Sequence, residues 1–207
     1  MAKLTQSVIM KSLDWAYDKA INGVPGLDSA EEMARDYLAK GTSVEESIKS
    51  LIKWQVSKSA TSGFLSGLGG IIAMPVTIPA NIASVMYVQV RMIAAIAYIG
   101  GHNIRDDKVK SLVYMCLCGN GAKDILKEAG IVIGTKLTQS AISKISGTVI
   151  TKINQAVGFR LLTKFGQTGV VNIGKAVPLI GGLVGATFDG ASTATIGKIA
   201  KDMFITK

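Results

Sequence analysis

The sequence has few of the residues that most often carry chemistry. Among its 207 residues are one histidine and two cysteines, Cys116 and Cys118. A Cys-x-Cys pair with one distant histidine is not a metal-ligand set. On a helix the two thiols would point about 200° apart, since each residue advances about 100°. We therefore expect both cysteines to act as small apolar side chains in a reducing compartment, and we expect no bound metal or other cofactor.

Charge is missing from one long stretch. Residues 59–90 contain no charged side chain and read SATSGFLSGLGGIIAMPVTIPANIASVMYVQV. The stretch is long enough to cross a bilayer, but its glycines, together with Pro75 and Pro79, prevent it from forming one straight helix. A shorter segment of the same chemistry, AVPLIGGLVGATF, covers residues 176–188. The two segments predict a pair of apolar helical hairpins, interrupted by glycine and proline, that are buried in the protein or inserted in a membrane.

Acidic residues are missing from residues 129–188. The chain has a formal net charge of +9, and this segment supplies +6 of it through six basic side chains. They are Lys136, Lys144, Lys152, Arg160, Lys164 and Lys175. Such an excess predicts an anionic partner, either lipid headgroups or nucleic acid, although a solvated polar face gives the same pattern. Between Lys136 and Lys175 the aromatic residues are Phe159 and Phe165 alone, which disfavours nucleic acid.

Hydrophobic periodicity favours helices throughout. No stretch alternates convincingly between apolar and polar residues, so we predict an all-α protein folded as a single-domain helical bundle. An apolar stripe predicts a first helix that ends at Asn22, and two capping-box patterns, Ser29 to Glu32 and Ser43 to Glu46, predict helices over residues 30–39 and 44–62. Residues 80–99 are apolar on nearly all sides, which is typical of a central or lipid-facing helix. A last helix is predicted over residues 191–205, after Gly190.

Arg91 stands out because it lies within the apolar 80–99 helix. A guanidinium buried in such a place costs several kcal/mol unless it is paired. Asp189 is the first acidic residue after the acid-free segment, and it lies at the second apolar segment. We predict a buried polar pair between Arg91 and Asp189 that locks the two hairpins together. The alternative is that Arg91 reaches solvent past its aliphatic stem.

Around these two segments the sequence resembles the EcsC protein family. The resemblance lies in GFLSGLGGIIAMPVTIPANIASVMYVQVRMIAAIAYIGG, residues 63–101, and in KAVPLIGGLVGATFDGASTATIGKIAKDMF, residues 175–204. It covers about residues 54–204, so we predict an EcsC-like helical domain there and an N-terminal helical extension over residues 1–53. The family is named for a bacterial gene beside the ATPase and permease genes of an ABC transporter. The resemblance implies a helical, membrane-linked fold and no catalytic residue.

The sequence therefore favours a non-enzymatic, membrane-associating protein. It would engage anionic membrane lipids or insert its apolar hairpins, as a transport accessory or a membrane-acting effector. The alternative is a soluble helical scaffold that binds another protein and uses the hairpins as its core. The N-terminus interleaves charged and apolar residues, unlike a secretory signal peptide, so we expect a cytoplasmic protein, peripheral to or inserted in the inner membrane. Enzymatic activity and oligomeric state are left open.

Overall fold

The computed structural model describes residues 4–59, 80–131, 137–173 and 180–205. Within its helices the backbone, but not the side chain, is described for residues 59, 80–81, 166–173 and 180–189. Over the described ranges the protein consists of α-helices and short connections, and no β-strand forms there. The prediction of an all-α, single-domain helical bundle is confirmed.

The helices are numbered in chain order. They are α1 (Gln6–Asn22), α2 (Ala30–Lys40), α3 (Val44–Ser59), α4 (Ala80–Ile99), α5 (Asp107–Cys116), α6 (Ala122–Glu128), α7 (Gln139–Ser143), α8 (Gly147–Ile173) and α9 (Ile180–Phe204). A 3₁₀ turn, Gly119–Gly121, joins α5 to α6. The bounds of α4 match the prediction, and α1 ends at Asn22 as predicted.

The apolar helix α4 lies at the centre of the bundle. Helices α1, α2, α3, α5 and α9 all pack against it. Every residue from 82 to 97 is buried, and the buried apolar side chains form one continuous cluster. The predicted domain boundary at residue 53 falls inside α3, and the three helices of the N-terminal region share this core with the rest of the chain.

Local signals explain where the N-terminal helices begin. The Oγ of Ser29 accepts a hydrogen bond from the amide of Glu32, and the Glu32 carboxylate accepts one from the amide of Ser29, so the first capping box is complete. At the second, Ser43 accepts from the amide of Glu46, but the Glu46 carboxylate accepts from the amide of Thr42 instead of that of Ser43. In this second capping box, the amide that donates to the glutamate therefore belongs to the residue one position before the expected one.

The last two helices are longer than the sequence predicts. We expected the last helix to begin after Gly190, but α9 begins at Ile180, and α8 continues to Ile173. A glycine within a helix costs about 1 kcal/mol relative to alanine, which packing can offset. Gly158, within α8, shows such packing: a Cβ there would lie 2.7 Å from the Cγ of Gln6, so the glycine lets α8 approach α1 closely.

Contacts along α9 show how the long helices are oriented. Helix α3 runs antiparallel to α9, since Ile52 contacts Gly197 and Glu45 binds Lys201. Helix α4 runs parallel to it, with Gln89 donating to Thr193 at 3.0 Å and His102, beyond the end of α4, contacting Phe204. Helix α8 is antiparallel, with Lys164 donating to Ser192.

These orientations place four helix termini together. The ends of α3 and α8 and the starts of α4 and α9, at residues 59, 173, 80 and 180, all lie at the same end of the bundle. We call this the hairpin end, because the helices that border residues 60–79 and 174–179 end and begin there. The opposite end, where Glu45 meets Lys201 and His102 meets Phe204, is the far end.

Candidate functional site

The sequence around the helix termini of the hairpin end contains few charged residues. These termini belong to residues 59–90, which have no charged residue, and to residues 165–197, whose charged residues are Lys175 and Asp189. Thirteen of the 14 acidic residues of the chain lie outside these two ranges of sequence. The fold brings the helix ends that border residues 60–79 and 174–179 to the same end of the bundle.

The six predicted anion-facing bases do not form one surface. Lys144 caps the C-terminus of α7 near the far end, and Lys152 is exposed on the early part of α8. Arg160 and Lys164 lie further along α8, toward the hairpin end. Lys136 and Lys175 lie outside the described residues. Which of the six bases face an anion therefore stays a prediction, and the fold favours those that lie toward the hairpin end.

Arg160 has acidic partners from outside its own segment. It forms ion pairs with Asp124 at 3.4 Å and with Glu128 at 3.2 Å, both on α6. The pairs are partly exposed, so each adds little stability, but together they offset the Arg160 charge locally. Lys164 instead donates to the hydroxyl of Ser192 at 3.1 Å, and its ammonium lies 5.6 Å from the ring centroid of Phe165. A linear count of charge therefore overstates the positive excess at Arg160.

Lys58 is a base at the hairpin end that sequence reasoning missed. It lies one residue before the end of α3, and its ammonium is 5.5 Å from the ring centroid of Trp54. Partial burial lowers the pKa of Lys58, and the nearby Arg91 charge lowers it further, while Asp28 acts in the opposite direction. Its place next to a 32-residue uncharged run could have marked it in the sequence.

Arg91 is only 2% exposed, so the alternative in which it reaches solvent is wrong. Its Nη1 donates to the backbone carbonyl of Asp28 at 3.0 Å, and its guanidinium carbon lies 5.3 Å from the ring centroid of Tyr87. The predicted partner Asp189 has a side chain outside the described residues, so the pair stays a prediction. Gln89, which lies about 200° from Arg91 around α4, is the residue that faces α9.

The single histidine and the two cysteines are held within the fold. His102 is buried, with its Nε2 3.0 Å from the carbonyl oxygen of Phe204, and the two rings are in edge-to-face contact. Burial raises the pKa of the Cys118 thiol to about 12 and raises that of Cys116, so both thiols stay protonated at neutral pH. In the described part of the chain, no group of three or more His, Cys, Asp and Glu side chains is arranged to hold a metal ion.

Comparison with known families supports the architecture. The sequence model of the EcsC protein family matches residues 4–206. The chain belongs to the EcsC protein family. The EcsC match starts at α1, so it includes the N-terminal helices that the sequence resemblance, over about residues 54–204, left out. No curated protein and no solved structure is significantly similar to this chain.

Proposed function

We propose that this EcsC family member is a non-enzymatic protein that attaches to anionic membrane surfaces through its hairpin end. The observation that carries the proposal is that the helix ends bordering both apolar segments lie at one end of the bundle. Apolar segments that only filled the core would have no reason to share an end with so little charge. A bilayer offers such an end both an apolar interior and, at its surface, anionic headgroups.

The proposal does not require α4 to cross the membrane. Within the described residues one stretch, Ile82–Ile99, is long and apolar enough to do so by length and composition, and 89% of it is buried inside the fold. Its polar residues are used within the bundle, Gln89 by Thr193 and Arg91 by Asp28. Placing α4 in lipid would break these contacts and expose Arg91 to hydrocarbon, which is costly. We therefore propose partial insertion of the hairpin end, with α4 kept in the core.

Electrostatics supports an anionic surface. Lys58 and Lys164 lie toward the hairpin end, and basic residues there favour a location next to an anionic surface. A basic residue near an anionic surface contributes about 1 kcal/mol, so the two would strengthen binding roughly thirtyfold. Of the six predicted anion-facing bases, the proposal keeps those near the apolar segments, and it adds Lys58.

One observation favours a second candidate function, a soluble helical scaffold. The burial of α4 by five neighbouring helices is what the core of such a protein needs. In that case the hairpin end would contact another protein, and the bases would be solvated. The biological setting in either case, at the cytoplasmic face of the inner membrane, is part of the proposal.

Vesicle flotation separates the two candidates. The protein is mixed with vesicles of phosphatidylcholine alone or with added phosphatidylglycerol, at low and at high salt. We expect flotation with the anionic vesicles and weaker flotation at high salt, because salt screens surface charge. The absence of flotation with anionic vesicles at low salt would refute membrane attachment and favour the scaffold.

A charge-matched pair of variants tests which end attaches. The double variant Lys58→Gln/Lys164→Gln and the double variant Lys144→Gln/Lys152→Gln each remove two positive charges. We expect the first to lose most of its binding to anionic vesicles and the second to keep most of it. Equal losses would mean that net charge, and not the hairpin end, drives attachment.

A further inference from the structure

A second charged surface lies along the side of the bundle, where α3 packs against α9. Ile52 contacts Gly197 there, and four lysines line the solvent side of the contact. We call this surface the lysine seam. Its members are Lys49 and Lys53 on α3 and Lys198 and Lys201 on α9. All four side chains belong to the described part of the chain.

One carboxylate joins the two helices of the lysine seam. The Oε1 of Glu45 lies 3.1 Å from the Nζ of Lys49 and 3.0 Å from the Nζ of Lys201. Hydrogen bonds from Lys201 and Lys49 lower the pKa of Glu45 to about 2, so this carboxylate is ionised at neutral pH. Two ammonium groups from different helices therefore already converge on a single anionic group.

Helix geometry places the other two lysines on the same side. At about 100° per residue, the two lysines of α3 lie about 60° and 100° around that helix from Ile52, and those of α9 lie about 40° and 100° from Gly197. Because the helices are antiparallel, turning the same way around each leads to the same side of their contact. Since Ile52 is level with Gly197, Lys53 is level with Ile196. From that level to Lys201, the four lysines extend along α9 for about 7.5 Å.

The positive charge of the lysine seam is not balanced. Lys53 and Lys198 are exposed, and within the described chain neither forms an ion pair. Glu45 is the carboxylate between the two helices, so the four lysines together with Glu45 carry +3. The next acidic groups, Glu46 and Asp202, lie nearer the far end than Lys53 and Lys198 do. The excess is therefore greatest around Lys53 and Lys198.

We propose that the lysine seam binds a small soluble anion that carries two or more neighbouring phosphate groups. The lysine ammonium is a compact point charge, and lysine is a common phosphate ligand in proteins. An anion with several phosphates can contact lysines of both helices at once, whereas a single phosphate reaches fewer of them. The site lies on the side of the bundle, apart from the hairpin end, so it does not depend on membrane attachment.

The charge pattern of the sequence does not show this site. Residues 1–58 carry eight basic and eight acidic side chains, so the charge of the segment that contains Lys49 and Lys53 sums to zero. Lys198 and Lys201 follow the acid-free segment and are separated from the first pair by about 150 positions. The packing of α3 against α9 is what brings the two pairs together.

Isothermal titration calorimetry with tripolyphosphate at low salt tests the site. We expect one tripolyphosphate per chain and weaker binding of orthophosphate. Because an exposed ion pair contributes up to about fivefold in affinity, Lys53→Gln/Lys198→Gln should weaken tripolyphosphate binding about 25-fold. The double variant Lys123→Gln/Lys127→Gln, which removes two exposed lysines of α6, should weaken it less than about threefold.

Three outcomes of this titration would overturn the proposal. They are no binding of tripolyphosphate, equal losses in the two double variants, and tighter binding of a hexaglutamate peptide than of tripolyphosphate. The last would show that the ligand is an acidic peptide. Since neither Lys53 nor Lys198 has an ion-pair partner to lose, their replacement should leave the fold intact, which urea denaturation checks.

Glu45 provides a readout of opposite sign. Its carboxylate competes with a bound anion for Lys49 and Lys201, so Glu45→Gln should tighten tripolyphosphate binding about fivefold. Asp36→Asn, which removes one negative charge from an ion pair on α2, is the matched control and should change binding less than about twofold. Equal effects of the two variants would show that net charge alone attracts the anion.

Vesicle flotation distinguishes a soluble phosphate compound from a lipid headgroup. Lys53→Gln/Lys198→Gln should float with phosphatidylglycerol-containing vesicles as well as Lys144→Gln/Lys152→Gln does. A loss as large as that of Lys58→Gln/Lys164→Gln would overturn the assignment to a soluble ligand and place headgroups on the lysine seam. Titration reports on the lysine seam and flotation on the hairpin end, so either proposal can fail without the other.

Discussion

Gly100→Ala tests the contact that joins the central helix to the end of the chain at the far end. Gly100 follows α4, and a Cβ there would overlap the carbonyl oxygen of Phe204 and lie 3.1 Å from both its carbonyl carbon and the Cδ2 of His102. The Phe204 atoms are backbone, so they cannot move aside by changing a rotamer. The end of α9 would have to shift, and the contact between His102 and the Phe204 carbonyl would shift with it.

The expected cost follows from these two effects. Overpacking costs about 1–3 kcal/mol, and loss of one hydrogen bond costs about 1 kcal/mol. We therefore expect the free energy of unfolding to fall by about 2–4 kcal/mol, as measured by urea denaturation followed by far-UV circular dichroism. At about 2–4 °C per kcal/mol for a chain of this size, Tm should fall by roughly 4–16 °C.

Gly147→Ala is the matched control. Gly147 is the first residue of α8, and a Cβ there would meet no atom within 4 Å. Alanine is the better helix former and lowers the entropy of the unfolded chain, so this variant should be unchanged or up to about 1 kcal/mol more stable. If Gly100→Ala unfolds within about 0.5 kcal/mol of the parent protein, a margin typical of neutral surface substitutions, the close contact at the far end does not exist in solution.

Three further predictions concern single interactions. Ser29→Ala should lower the free energy of unfolding by about 0.5–2 kcal/mol in urea, because the N-cap of α2 is lost. A hydrogen bond from Lys201 is the largest of the effects that lower the pKa of Glu45 to about 2. The stabilisation that ionised Glu45 provides is therefore present above pH 4.5 and is lost as the pH falls toward 2. Glu45→Gln should flatten the acid side of the plot of Tm against pH, and an unaltered plot would contradict this. A double-mutant cycle of Arg91→Met and Asp189→Asn should give a coupling above about 1 kcal/mol if these residues pair, whereas additive effects would rule the pair out.

The sequence predicted best those features that depend on neighbouring residues. The bounds of α4 follow from Pro79 before it and the glycine turn after it, and the start of α2 follows from the Ser29 capping box. The continuity of α8 and α9 could not be predicted in this way. Glycines usually signal breaks, and only the contact between Gly158 and Gln6 shows that a glycine within α8 serves close helix packing.

Features of the candidate site depend on distant pairings, which explains why sequence reasoning found only part of it. Lys58 and Lys164 are 106 positions apart in the numbering, and their common location follows from the separate packing of α3 and α8 against the C-terminal helix. The six-residue basic set was defined by its place in the acid-free segment of the sequence alone. It therefore included Lys144, near the far end, and omitted Lys58.

The location of the apolar segments also changes what their hydropathy means. The apolar character of α4 is fully explained by the five helices around it, and so it does not by itself favour a membrane over a soluble core. The argument for a membrane instead depends on the hairpin end, where the helix ends that border the two uncharged stretches lie together, with Lys58 and Lys164 on the helices there. A soluble scaffold needs a buried central helix but does not need this arrangement. Flotation with anionic vesicles therefore distinguishes the two functions more sharply than any measure of overall hydrophobicity.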